Sequence, residues 1–167
     1  VAGQGTIGLE ILEQLPETNM VIVPIGGGGL ISGIACALKS INSKLRVLGV
    51  QSNRAPSMYN CVKADKIVKT RIMNTIADGL ATKKPSNLTF ESVLQYVDDL
   101  KLVSDGEIEK AVITLLHEEN VLAEPSGSAS LAAFSKIYRL NAKEKIVLII
   151  SGGNISKTLL ETLLLER

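Results

Sequence analysis

Apolar residues follow two alternating rhythms along this chain. Nearly unbroken apolar runs occupy 20–25 (MVIVPI), 46–51 (RVLGVQ) and 145–150 (KIVLII). Runs of this length suit strands buried on both faces of a parallel sheet. A fourth run, 97–103 (VDDLKLV), is interrupted by charges and reads as an edge strand. Between these runs the apolar spacing turns helical. Ile7, Ile11, Leu12 and Leu15 share one face, and further helical stretches cover 30–38, 104–118, 128–140 and 156–166. Ser104 stands three residues before Glu107, the spacing of a capping box. The alternation predicts an α/β fold: a doubly wound, mostly parallel sheet with helices on both faces. In such folds ligands sit at the carboxyl ends of strands. The stretch 52–96, with Gly79 and Pro85 amid mixed polarity, reads as a long excursion over the top of the sheet.

Composition narrows the function. At 167 residues with 46% hydrophobic content, the chain can bury the core of one globular domain. A net charge of +1 and 3% aromatics argue against a nucleic-acid partner, which calls for a basic face and stacking rings. No apolar run reaches the roughly 18 residues of a membrane-spanning helix. Cys36 and Cys61 form no CxxC pair and read as reduced thiols of a cytoplasmic protein, with Cys36 a small core residue. His117, the only histidine, falls late in a helix, where it suits the helix dipole better than catalysis. One histidine and no cysteine cluster leave no zinc site. The chain opens on VAGQGTIGLEIL, at a helix and with no initiator methionine, so the expectation is the middle of a longer protein.

The candidate chemistry lies in VIVPIGGGGLISGIA, residues 21–35. Four glycines join a strand to a helix. Glycine lets an anion touch the backbone, and the helix N-terminus offers unpaired N–H groups, so phosphate is the natural ligand. The alternative is a tight turn under close strand–helix packing. Two familiar phosphate loops fail. Gly28 and Gly33 have P-loop spacing, but Ile34 stands where lysine belongs. In the dinucleotide fingerprint, Gly27 and Gly29 are followed by Ser32, and Gly26 and Gly28 by Ile31; the next strand ends on Gln51 rather than an acid, so NAD is the weaker reading. A second glycine turn, SGGN, places Ser151 at the end of the last strand, and AEPSG puts Glu124 before another helix. Each alone fits an ordinary turn. Together with the four glycines they describe one crevice.

GQGTIGLEI, PIGGGGLISGIA, TIADGLA, AEPSG and SGGN, in this order, resemble the C-terminal half of a fold-type II pyridoxal-phosphate enzyme, over almost the whole chain. The nearest group is the threonine dehydratases (threonine ammonia-lyases), with serine racemase and serine dehydratase as relatives. The resemblance implies that the amides of Gly26, Gly27, Gly28, Gly29 and Leu30 hold the phosphate of pyridoxal phosphate. It implies that Ser151 meets the pyridine nitrogen, that Asp78 and Gly79 lie beside the cofactor, and that Glu124 is on the cofactor side. The other reading of Glu124 is a charge at a helix N-terminus. A serine at the ring nitrogen bonds it without forcing protonation, which suits elimination of a β-hydroxyl.

The resemblance further implies a lyase that takes threonine or serine to a 2-oxo acid and ammonia, as a homo-oligomer when complete. Residues 1–167 would be the C-terminal part of its cofactor-binding large domain. The Schiff-base lysine, the asparagine near the ring hydroxyl and the small domain would precede residue 1. Nothing here replaces that lysine: Lys39, Lys44, Lys63 and Lys66 read as solvated surface charges. This part alone would be inactive. Where some relatives bind a divalent cation, this chain has Gln51, Ala55 and Ser57, so no magnesium or calcium is expected there. A serine racemase-like enzyme and a non-catalytic phosphate-binding module are the alternatives.

Overall fold

The computed structural model of the chain describes residues 1–137 and 143–165. Four parallel strands, β1 (Met20–Pro24), β2 (Arg46–Ser52), β3 (Asp99–Val103) and β4 (Ile146–Leu148), form one sheet in the order β3-β2-β1-β4. Seven α-helices among the described residues surround it: α1 (Ala2–Gln14), α2 (Gly29–Ile41), α3 (Ser57–Ala64), α4 (Asn87–Tyr96), α5 (Asp105–Glu119), α6 (Pro125–Ile137) and α7 (Lys157–Leu165). The doubly wound layer expected from the apolar rhythm is present.

The strand composition follows from coverage on both faces. Successive side chains of a strand point to opposite sides. Val21 and Val23 of β1 join Val47 of β2 in one core with Ile31, Ile34 and Leu38 of α2 and Phe90 of α4. Met20, Ile22, Leu48 and Val50 point the other way, into a core with Ile108 of α5 and Ala129, Ala132 and Ala133 of α6. From Val21 to Val23 and from Val47 to Val50 both faces are buried, so no charge stands at these positions. Each fully buried branched side chain contributes about 1.5–3 kcal/mol. Gly49 interrupts β2 because the side chains of Ile25, Leu100 and Ile31 already fill the space a Cβ would take.

Several expectations need correction. The 52–96 stretch is no bare excursion: it forms α3, a 3₁₀ turn at Asp78–Leu80, and α4. Its helices are short and their apolar faces incomplete, which hid the period. The first helix begins at Ala2, ahead of its apolar stripe, because glycines at 5 and 8 provide close contact rather than bulk. The charged run does form the edge strand β3. However, KIVLII lies at the opposite edge and pairs over Ile146–Leu148 alone, half-buried rather than enclosed. The helices expected to end at 140 and 166 run to Ile137 and Leu165, and those expected ends lie outside the described residues. Cys36 is half-buried, whereas Cys61 is the enclosed thiol, bonded to the backbone of Val68. Lys39 is not a free surface charge: its ammonium meets Asp98 at 2.8 Å and its side chain is 14% exposed.

Candidate active site

The sheet order decides where a ligand can go. From β1 the chain moves outward to β2 on one side, while β4 lies on the other. Loops leaving adjacent strands in opposite directions open a crevice at their carboxyl ends. The loops leaving β1 and β4 are the two glycine turns, so neighbouring strands bring together segments more than a hundred residues apart.

The four glycines divide into two kinds. A Cβ on Gly26 would stand 2.7 Å from the Gly79 carbonyl oxygen. Gly28 has φ +93° and caps α2, and its Cβ would stand 2.7 Å from Met58 Cε and 2.9 Å from Thr89 Cβ. Packing and backbone geometry explain these two. They do not explain the others: a Cβ on Gly27 meets nothing closer than Thr82 Cγ2 at 3.9 Å, and one on Gly29 meets nothing within 4 Å. Gly27 and Gly29 therefore face open space, in a cleft of about 300 Å³. Among the described residues, no acceptor receives the backbone N–H of Gly26, Gly27, Gly28, Gly29 or Leu30. These donors stand at the positive end of a thirteen-residue helix with no acid in its first turn. The cradle is open, donor-rich and without its own anion.

The second glycine turn forms the opposite wall. Ser151 is exposed and lines the same cleft. Glu124 is tied to this turn twice. Its N–H donates to the Gly152 carbonyl at 3.0 Å, and its carboxylate accepts the N–H of Asn154 at 3.1 Å. Gly152 and Gly127 are glycines because Glu124 and the start of α6 press against the turn. The 3₁₀ turn closes the cleft on a third side through Gly79 and Leu80.

Thus Gly26 to Leu30, Gly79, Glu124 and Ser151 line one space. Asp78 does not; its carboxylate folds back on its own turn and accepts the Gly79 N–H at 2.8 Å. Gln4, Pro24, Leu80 and Ser126 line the cleft without having been singled out from sequence. Ser126 was within reach, inside the AEPSG string, but its burial is a tertiary fact. A larger hollow of about 460 Å³ runs along the outer edge of β3; it contains no residue of either glycine turn, and of its charged groups Asp98 and Asp99 are paired with Lys39 and Lys101.

Gln51, Ala55 and Ser57 lie together but inside the protein. The Gln51 amide donates to the Ile25 carbonyl at 3.3 Å and to Ser57 Oγ at 3.5 Å, and its oxygen accepts the Tyr59 N–H at 2.9 Å. It joins the last residue before the glycines to the start of α3. No group of three or more His, Cys, Asp or Glu side chains among the described residues is placed to hold a metal.

Fold and cleft define a class: a doubly wound α/β layer that presents an open, donor-rich glycine loop at its switch point. The chain belongs to the family of pyridoxal-phosphate dependent enzymes, which it matches over residues 1–152. It is 44% identical over 165 residues to the L-threonine ammonia-lyase of Thermotoga maritima, covering 98% of this chain and 41% of that one. It is 48% identical over 157 residues to the catabolic L-threonine dehydratase of Escherichia coli K12, covering 93% and 48%. The chain thus spans less than half the length of these two relatives. Among solved structures, maize serine racemase matches with a TM-score of 0.87 at 40% identity, over 98% of this chain and 51% of that one. The processed threonine deaminase isoform 2 of Solanum lycopersicum matches at 0.91 and 34% identity, over 96% and 48%.

Proposed function

We propose that residues 1–167 are the C-terminal part of the cofactor-binding domain of a cytoplasmic ammonia-lyase that takes L-threonine, and L-serine, to a 2-oxo acid and ammonia. The observation that carries this reading is the cradle itself. Gly27 and Gly29 have no packing reason to be glycine, and five successive N–H groups there lack acceptors among the described residues. The residues fit a phosphate monoester. The amides of Gly26 to Leu30 bind it, and the N-terminus of α2 offsets its charge. Bound pyridoxal phosphate supplies an electron sink for charge developing at the substrate α-carbon.

Ser151, at the opposite wall, is the hydrogen-bonding partner for the pyridine nitrogen. A neutral hydroxyl orients that nitrogen without giving it a full proton. Glu124, anchored by Asn154, lends a fixed negative charge to the same side, and Gly79 keeps the third wall low. These residues bind and orient; the covalent and proton-transfer groups belong to the rest of the longer protein, so residues 1–167 alone are inactive. Homo-oligomerisation of the whole enzyme goes with the same reading.

The test is made on the protein at its natural length. Borohydride reduction with pyridoxal phosphate should fix one pyridoxyl adduct on a lysine outside residues 1–167, and threonine should yield 2-oxobutanoate. An adduct on Lys39, Lys44, Lys63 or Lys66, or no adduct, would refute the assignment of roles. A serine racemase is the second reading, favoured by the likeness to the maize enzyme. D-serine formation from L-serine at a rate exceeding deamination would select it.

A further inference from the structure

Two side-chain polar atoms among the described residues are buried without a hydrogen-bond partner, Ser32 Oγ and Ser126 Oγ. Of these two residues, Ser126 alone lines the cleft. It is the second residue of α6, and 4% of its surface is exposed. Its neighbours of the same type are provided for: Ser128 Oγ donates to the Glu124 carbonyl at 2.9 Å and Ser130 Oγ to the Ile149 carbonyl at 2.8 Å. A serine enclosed in this way costs stability unless something in the cleft bonds it.

Its place is specific. Ser126 Oγ lies 2.8 Å from where a Cβ on Gly79 would stand, and the Gly79 carbonyl in turn abuts Gly26. The next residue, Gly127, abuts Gly152 of the SGGN turn, so close that its Cβ would stand 2.6 Å from the Gly152 carbonyl oxygen. Ser126 therefore stands between the two glycine turns, at the first turn of a thirteen-residue helix. The chemistry it offers is one neutral hydroxyl, able to donate and accept at once. Alanine would fill the same helix position without leaving a polar atom unpaired.

We propose that Ser126 is a further ligand-binding residue of this site, its hydroxyl completed by a polar atom of the bound phosphorylated pyridine. The assignment rests on the cofactor reading above. It gives Ser126 opposite effects in the free and loaded protein, which a structural serine would not show. Removing an unpaired hydroxyl should leave the melting temperature of the cofactor-free protein unchanged or raised. Removing one ligand hydrogen bond should weaken the binding of pyridoxal phosphate about three- to tenfold.

The experiment titrates pyridoxal phosphate into the cofactor-free, natural-length protein, followed by absorbance and fluorescence, for the unsubstituted chain, Ser126→Ala and Ser126→Cys. Melting of each cofactor-free form is recorded alongside. Cysteine keeps the shape of the side chain with a somewhat larger atom at its end, and is a poor hydrogen-bonding group. Weaker binding by both variants, with melting no lower than that of the unsubstituted protein, supports the assignment. Equal affinity in Ser126→Ala, restored affinity in Ser126→Cys, or a lowered melting temperature in Ser126→Ala would overturn it while leaving the cofactor reading intact. Failure of the unsubstituted protein to bind pyridoxal phosphate would overturn the reading and this assignment together.

Discussion

Two adjacent glycines should respond to the same substitution with opposite signs. Gly28 adopts a left-handed conformation, and alanine there costs about 1–2 kcal/mol from the backbone alone. Its methyl would also stand 2.7 Å from Met58 Cε and 2.9 Å from Thr89 Cβ. Met58 can swing its terminal methyl aside, but Thr89 is fixed in the first turn of α4 by the Ser86 cap, which its N–H meets at 3.2 Å. Overpacking of this kind adds about 1–3 kcal/mol, so Gly28→Ala should lose about 2–5 kcal/mol in all. Gly29 begins α2 with open space around its missing Cβ. Alanine there restricts the unfolded chain without strain and should gain about 0.4–1 kcal/mol. The same methyl would occupy the cradle, so Gly29→Ala should weaken phosphate binding about ten- to hundredfold. Urea unfolding of the natural-length protein measures the first effect, and pyridoxal-phosphate titration the second. Equal destabilisation by the two variants would refute the division of the glycines into packing and ligand positions. So would a Gly29→Ala protein that binds normally.

Three further outcomes are expected. Gly33→Ala should cost about 1–3 kcal/mol in urea unfolding, because its methyl would run into the Val1 carbonyl and the Gly5 backbone where α1 crosses α2. Gln51→Leu keeps the volume but leaves the Ile25 carbonyl and the Tyr59 N–H without their partner, and should cost about 2–4 kcal/mol while also weakening phosphate binding through the displaced loop. At Glu107, burial pulls the carboxyl upward, but the Ser104 N–H, Lys136 and the Ser104 hydroxyl outweigh it and hold its pKa below the usual carboxylate value. A depressed folded-state pKa gives stability that is present above the ordinary carboxylate value and is lost as pH falls through the lowered one. Melting followed against pH should show that acid loss, and Ser104→Ala should reduce it while costing about 1 kcal/mol at neutral pH.

Much of this protein is written locally. Strands β1 and β2 are legible because burial on both faces excludes charge, so Val21 to Val23 and Val47 to Val50 carry none. The capping box at Ser104 and Glu107 is legible because it is a contact within four residues. The glycine run announces a backbone-level ligand for the same reason. What the sequence could not distinguish is why each glycine is there. Gly28 answers to Met58 and Thr89, some thirty and sixty residues away, whereas Gly29 answers to empty space. Short helices such as α3 went unseen because three or four apolar residues set no period; their contacts with α4 and β2 hold them. KIVLII reads as a central strand, yet its place at the sheet edge is set by pairing with β1. The burial of Ser126 is likewise invisible along the chain. Burial without a partner is a tertiary property: only the fold sets Gly79 against the Ser126 hydroxyl and the SGGN turn against the neighbouring Gly127.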